Sequence, residues 1–243
     1  NGTNLVSSTY LGDAGKNQGY RLALDAAGGV YVTGATKDNS GYPVTPGGLN
    51  LGGLFLSGDG GANWNASNTG LQSVDVWSLA VNPLAPDRVY AGTSRGVARS
   101  SNGGLTWSTA ISASATSAGL APAIAVGSVR SLVIDPVGAT NLYAGTAQGV
   151  FKSSDAGLNW WLISASLIGD PSPFKLAIDP VDPAIIYGGG NAGVYVSTNG
   201  ATNWSTVNSG LGNLSVRALA IPPSPPAMLY AATAGGVYRS QNR

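Results

Sequence analysis

The sequence predicts an all-β fold assembled from five repeats of a four-stranded sheet. Three observations predict it: a strand-and-turn segment that recurs along the chain, apolar residues alternating over short runs, and a composition rich in turn formers. Of 243 residues, 36 are Gly and 14 are Pro. The recurrent segment reads apolar strand, Asp-Pro turn, Leu-Tyr-Ala-Gly-Thr, Gly-Val-x-x-Ser, turn, Trp. Aligning its Tyr gives Tyr31, Tyr90, Tyr143, Tyr187 and Tyr230, spaced by 59, 53, 44 and 43 residues. Trp64, Trp107, Trp160 and Trp204 align in the same way, and the fifth copy has no Trp.

The third copy shows how each unit is built. Ser131 to Ile134 is the first strand, Asp135-Pro136 turns it, Asn141 to Thr146 returns, Gly149 to Ser153 is the third strand and Asn159 to Ile163 the fourth. Four antiparallel strands in about 40–50 residues are the size of a propeller blade, and a lone blade cannot bury both faces. The expected architecture is therefore a five-bladed β-propeller in one domain, 1–243, with blades at about 20–71, 76–111, 129–165, 174–208 and 216–240 plus 3–10. The fifth copy breaks off after its third strand. Asn1 to Ser8 resembles the turn and fourth strand at Asn199 to Thr206, so the N-terminal strand is expected to close the last blade and remove an open edge.

The turns after the third strands read Ser57-Gly-Asp59-Gly-Gly61-Ala-Asn-Trp64, Ser100-Ser-Asn102-Gly-Gly104-Leu-Thr-Trp107 and Ser153-Ser-Asp155-Ala-Gly157-Leu-Asn-Trp160. They resemble the Asp-box, or bacterial neuraminidase repeat, of β-propellers. Ser197-Thr-Asn199-Gly-Ala201-Thr-Asn-Trp204 departs from the pattern by carrying Ala in place of Gly. The opening copy, with Leu22 to Gly34 and Tyr42 to Gly47, is similar to a propeller repeat of bacterial secreted proteins. The two resemblances imply an exported or surface-located bacterial protein. Within a box, Asp or Asn accepts backbone N–H groups of its own turn, Gly takes positive φ, and Trp covers the hairpin.

Composition removes several chemistries. The chain has no His, no Cys and no Glu, so Ser-His-Asp and Cys-His nucleophiles and His/Cys zinc sites have no constituents. Each box holds at most one carboxylate, too few for an EF-hand-like loop, and neither a metal nor a cofactor is expected. Gly188-Gly-Gly190-Asn-Ala-Gly193 matches the dinucleotide fingerprint only formally, because a strand and not a helix follows it. Net charge is +1, which argues against nucleic acid, and no apolar run is long enough to span a bilayer.

The repeat also places a candidate ligand site. Five residues before Asp25, Asn82, Asp135, Asp179 and Pro222 stand Tyr20, Trp77, Arg130, Phe174 and Arg217, which fivefold placement puts around one mouth of the channel. Arg95, Gln148 and Asn191 occupy short second-to-third-strand loops on that face, and Arg95 joins the candidate set. Guanidiniums and aromatic rings there suit an anionic or sugar-like group, although the reading favoured for these positions is that the rings plug the channel and the arginines pair with nearby Asp. Lys37 to Tyr42 and Ser112 to Gly127 form a candidate rim.

The expected function is a non-catalytic recognition scaffold, monomeric and secreted or cell-surface, binding a protein or glycan partner through one propeller face. A lectin-like multivalent sugar-binding module is the alternative. Sialidase chemistry lacks its Glu, and a two-Asp glycoside hydrolase is the less favoured third reading, with Asp13, Asp38, Asp75 and Asp170 unassigned to turns.

Overall fold

The computed structural model describes residues 17–24, 28–36, 52–60, 62–109, 128–164, 175–222 and 228–240. Every regular element among them is a strand, and the strands form five antiparallel sheets in chain order. The first sheet contains β1 (Asn17–Leu24), β2 (Val30–Thr36), β3 (Gly52–Ser57) and β4 (Asn65–Ala66). The second contains β5 (Val76–Val81), β6 (Val89–Thr93), β7 (Gly96–Ser100) and β8 (Ser108–Thr109). The third contains β9 (Val129–Ile134), β10 (Leu142–Thr146), β11 (Gly149–Ser153) and β12 (Trp161–Ser164). The fourth contains β13 (Lys175–Ile178), β14 (Ile186–Gly190), β15 (Gly193–Ser197) and β16 (Ser205–Thr206), and the fifth β17 (Val216–Ala220), β18 (Leu229–Thr233) and β19 (Gly236–Ser240). Within each sheet every strand pairs with the next in sequence, giving the meander of a propeller-like fold. Residues 3–10, expected to complete the fifth sheet, lie outside the described residues.

The recurrent Thr-x-x-Gly makes the central hairpin. Thr93 Oγ1 donates to Gly96 O at 2.9 Å and accepts Arg95 N at 3.0 Å, and Thr146 and Thr233 repeat both bonds. The Gly that follows takes φ 114° at Gly96, 125° at Gly149 and 131° at Gly236, a region that side chains resist. In the third sheet the outer strand begins at Trp161, not Asn159, because Asn159 N and Nδ2 are held by Asp155 in the turn.

The core is divided among the seams between sheets. Tyr31 and Leu54 pack with Val76, Val89 and Trp107 of the second sheet, and Tyr90 and Val97 with Leu132, Phe151 and Trp160 of the third. Tyr143 and Val150 pack with Leu176 and Ile186, and Tyr187 and Val194 with Val216 and Leu229. The first two seams are tied by a tyrosine that reaches forward: Tyr31 Oη donates to Gly103 O at 3.2 Å, and Tyr90 Oη to Ala156 O at 2.8 Å, both in the box turn of the following sheet; Tyr143 and Tyr187 are buried in the third and fourth. Glycine lets the sheets approach. A Cβ at Gly92 would stand 2.7 Å from Val129 Cγ1 of the next sheet, and one at Gly189 2.5 Å from Val216 Cγ1.

The end sheets differ from the inner ones. Val97, Val150 and Val194 are buried in seams, whereas their counterpart Val237 is 74 % exposed, and Leu22 and Leu24 of β1 are 63 % and 62 % exposed. The described sheets therefore share four seams in sequence, one between each consecutive pair.

Candidate functional site

The first strands of the sheets lie side by side, β1 next to β5, β5 next to β9, β9 next to β13 and β13 next to β17. Two serines join them. Ser78 Oγ donates to Val129 O at 3.2 Å, and Ser131 Oγ accepts Leu176 N at 3.0 Å. At the start of these strands the ladder skips one residue in four of the five sheets. Pairing jumps from Gly19 to Arg21, from Val76 to Ser78, from Val129 to Ser131 and from Val216 to Ala218. The residues left out are Tyr20, Trp77, Arg130 and Arg217. A bulge of this kind releases one residue from the alternation of the strand and re-aims its side chain. Four of the six residues singled out in the sequence are thus the bulge residues of the inner strands.

Arg130 and Arg217 come together in a cleft of about 340 Å³, which Lys175, Ser78 and Ser131 also line with the apolar side chains around them. The Arg130 guanidinium lies over the Trp77 ring, 4.6 Å from its centroid. Arg130 and Arg217 are exposed, and no carboxylate lines the cleft among the described residues. Arg95 sits apart, exposed in the β6–β7 turn at the same end of the sheet, where Ser94 N donates to Asp75 O at 3.0 Å. Tyr20 belongs to β1, its side chain outside what is described, and Phe174 and both rim loops lie outside the described residues. Lys175 was missed by counting back from the turn, which lands on Phe174; β13 pairs without a skipped residue, so its first paired residue is the one that reaches the cleft.

The carboxylates are engaged elsewhere. Asp59 Oδ1 accepts Asn63 N at 2.8 Å and Ser57 Oγ at 2.8 Å, and Asp59 Oδ2 accepts Asn63 Nδ2 at 2.7 Å. The bond from Asn63 N, with the side-chain bonds of Asn63 and Ser57, lowers its pKa to about 2. Burial pushes Asp155 up, but the N–H groups of Asn159 and Leu158 and the Ser153 hydroxyl outweigh it and hold the group below its ordinary value. Asp135 follows the same pattern through Gly138, Asn141 and Val137. Asp179 accepts Val181 N and Asp182 N, closing the corresponding turn of the fourth sheet. A general acid in glycoside hydrolysis needs a raised pKa, and all three Asp shifts run the other way. Among the described residues the Asp75 carboxylate accepts one long bond, 3.4 Å from Ser94 Oγ, and Asp13, Asp38 and Asp170 lie outside the described residues.

These depressed values fix a pH dependence. A carboxylate whose folded pKa lies below its unfolded value stabilises fully above the unfolded pKa, about 4, and loses that contribution as pH falls through the folded pKa. The melting temperature is expected to fall steadily from about pH 5 towards pH 2, and an Asp59→Asn/Asp155→Asn protein to fall less steeply. Equal slopes in calorimetric scans would show that the boxes do not carry the effect. Asn102 and Asn199 hold the same positions without charge, through bonds to Thr106 N and Asn203 N.

No family model and no curated protein matches the sequence. Solved structures do match. A GH74 enzyme from Niastella koreensis superposes with a TM-score of 0.68 at 19% identity over 95% of this chain and 36% of that one. The GH74 xyloglucanase from Xanthomonas campestris gives a TM-score of 0.51 at 17% identity, over 90% of this chain and 43% of its own. The extracellular domain of a hybrid two-component system from B. thetaiotaomicron gives 0.57 at 14% identity, over 96% of this chain and 39% of that one. The chain thus spans well under half the length of the proteins it resembles, and the likeness concerns the propeller-type fold.

Proposed function

We propose that the chain is a non-catalytic, extracellular recognition module that binds a glycan at the inner-strand cleft. The observation that supports it most is the convergence on one cleft of Arg130 and Arg217, bulge residues of two different sheets, with Trp77 as a stacking partner. A bulge repeated at equivalent places in four of the five sheets brings together residues that are far apart in sequence. Two GH74 enzymes and a sensor's extracellular domain among the structural neighbours support a carbohydrate-related role at the level of the fold. The short second-to-third-strand turns of the second, third and fourth sheets carry different polar residues, Arg95, Gln148 and Asn191, which favours one composite site over equivalent sites at every seam. The reading does not depend on closure of the ring, because the cleft is built from the second to the fifth sheets.

The test is a glycan array followed by calorimetric titration of the best ligand. One saturable site is expected, weakened on the order of tenfold or more by Arg130→Gln/Arg217→Gln, as for loss of charge-assisted hydrogen bonds. Both residues are exposed, so the melting temperature should stay within about a degree of the parent, since surface changes are usually small. Several equivalent sites would favour the lectin-like alternative. Release of reducing ends from the bound glycan would replace the recognition reading with the two-Asp hydrolase. Unchanged affinity in the double variant would remove the cleft.

A further inference from the structure

We infer that the cleft is an oxyanion site and that the glycan it takes is acidic, carrying carboxylates along its length as a polyuronate does; the inference rests on the glycan reading above.

Charge is segregated along the sheets. The inner strands run from the mouth to the turns that begin at Asn82, Asp135 and Asp179, and the boxes lie at that far end with them: Gly103 N is held by Asp87 O, Ala156 N by Thr140 O and Gly200 N by Ala184 O. Asp59, Asp87, Asp135, Asp155, Asp179 and Asp182 therefore all gather away from the mouth. Asp75 is the one described acidic residue at the mouth end, beside the β6–β7 turn and not in the cleft wall. The cleft itself presents Arg130, Lys175 and Arg217. Among the described residues positive charge is thus concentrated in a concave surface whose low-dielectric walls focus the field.

The geometry of Arg130 narrows the ligand further. The Arg130 guanidinium centre lies 4.6 Å from the Trp77 ring centroid, a cation–π contact that uses the ring face and leaves the in-plane N–H donors of the guanidinium for a ligand. Neither Arg130 nor Arg217 forms an ion pair with any described residue. The planar fork of a guanidinium matches the two oxygens of a carboxylate, and matches isolated sugar hydroxyls less well. The cations also repeat: β9, β13 and β17 each contribute one from the start of the strand. A polymer bearing one carboxylate per sugar meets a row of cations with one per sheet, whereas a single anion would engage only part of it.

The experiment compares polygalacturonate with the same polymer after methyl esterification, which keeps the sugars and removes the charge. Neutral xyloglucan and polyaspartate are the other two arms, all titrated against the full chain at low and high salt. The inference expects polygalacturonate to bind at least on the order of tenfold tighter than its ester, with affinity falling as salt rises. Arg130→Gln and Arg217→Gln should each reduce that preference, while Arg99→Gln, on β7 away from the cleft, leaves it unchanged. Equal binding of polygalacturonate and its ester, or preference for xyloglucan, with both still sensitive to the Arg130 and Arg217 variants, overturns the charge assignment and leaves the glycan reading standing. Polyaspartate binding as tightly as polygalacturonate shows that charge alone is read and overturns the glycan. Binding of none of the four polymers overturns the inference.

Discussion

A Tyr90→Ala protein is expected to lose about 3–5 kcal/mol of stability, the usual cost of emptying a buried aromatic site. Tyr90 is completely buried, packs in the core shared by the second and third sheets, and donates its hydroxyl to Ala156 O at 2.8 Å. The third sheet is shaped around it: a Cβ at Gly157 would stand 2.6 Å from the Tyr90 ring. Removing the ring opens a cavity in the seam and leaves a box carbonyl without its donor. Tyr90→Phe separates the two effects, and should cost only about 1–2 kcal/mol for the unsatisfied carbonyl. Denaturant titrations of the parent and both variants measure this directly. A loss below about 1 kcal/mol for the alanine variant would mean that the seams are not the source of cohesion.

Gly189→Val should act at one seam and spare the others. The added side chain would enter space held by Val216 Cγ1 at 2.5 Å, Val216 Cβ at 3.1 Å and Leu219 Cδ1 at 3.3 Å, all from the inner strand of the fifth sheet. Overpacking of this kind costs about 1–3 kcal/mol, and here the neighbours that must give way form a single strand. Hydrogen exchange is expected to lose protection over β17, β18 and β19 first, with β6 and β10 retaining theirs, because local opening follows the weakest contacts. Uniform loss across all sheets would show instead that the seams melt as one.

The repeat itself was readable because its signals are local. The Thr-x-x-Gly hairpin, the Asp-Pro turn and the box each specify a turn within a few residues, and the structure forms them where they occur. The bulge residues were reached by the same arithmetic, since the offset from the inner-strand turn to the skipped residue is constant across sheets; that the residue is a bulge was not readable. Lys175 escaped because one missing bulge shifts the count by one residue, and in a strand one residue exchanges the two faces. The tie from Tyr90 to Ala156 joins residues 66 apart, and no local pattern specifies a contact over that separation. The Ala in the fourth box did not disturb its form: Ala201 takes φ 67° and turns its methyl into the seam with Tyr143 and Leu176. Expected closure through residues 3–10 falls outside the described residues, and the exposed Val237, Leu22 and Leu24 mark the surfaces such a contact would have to cover.

The forward-reaching tyrosines have a consequence for how this architecture changes size. Tyr31, Tyr90, Tyr143 and Tyr187 each pack in the seam with the unit that follows, so the described units meet their successors through the same aromatic position. Duplicating or deleting one such unit alters a single junction and leaves the remaining junctions chemically intact, as in other arrays with nearest-neighbour energetics. Copy number is therefore a variable that genetic recombination can adjust at small energetic cost.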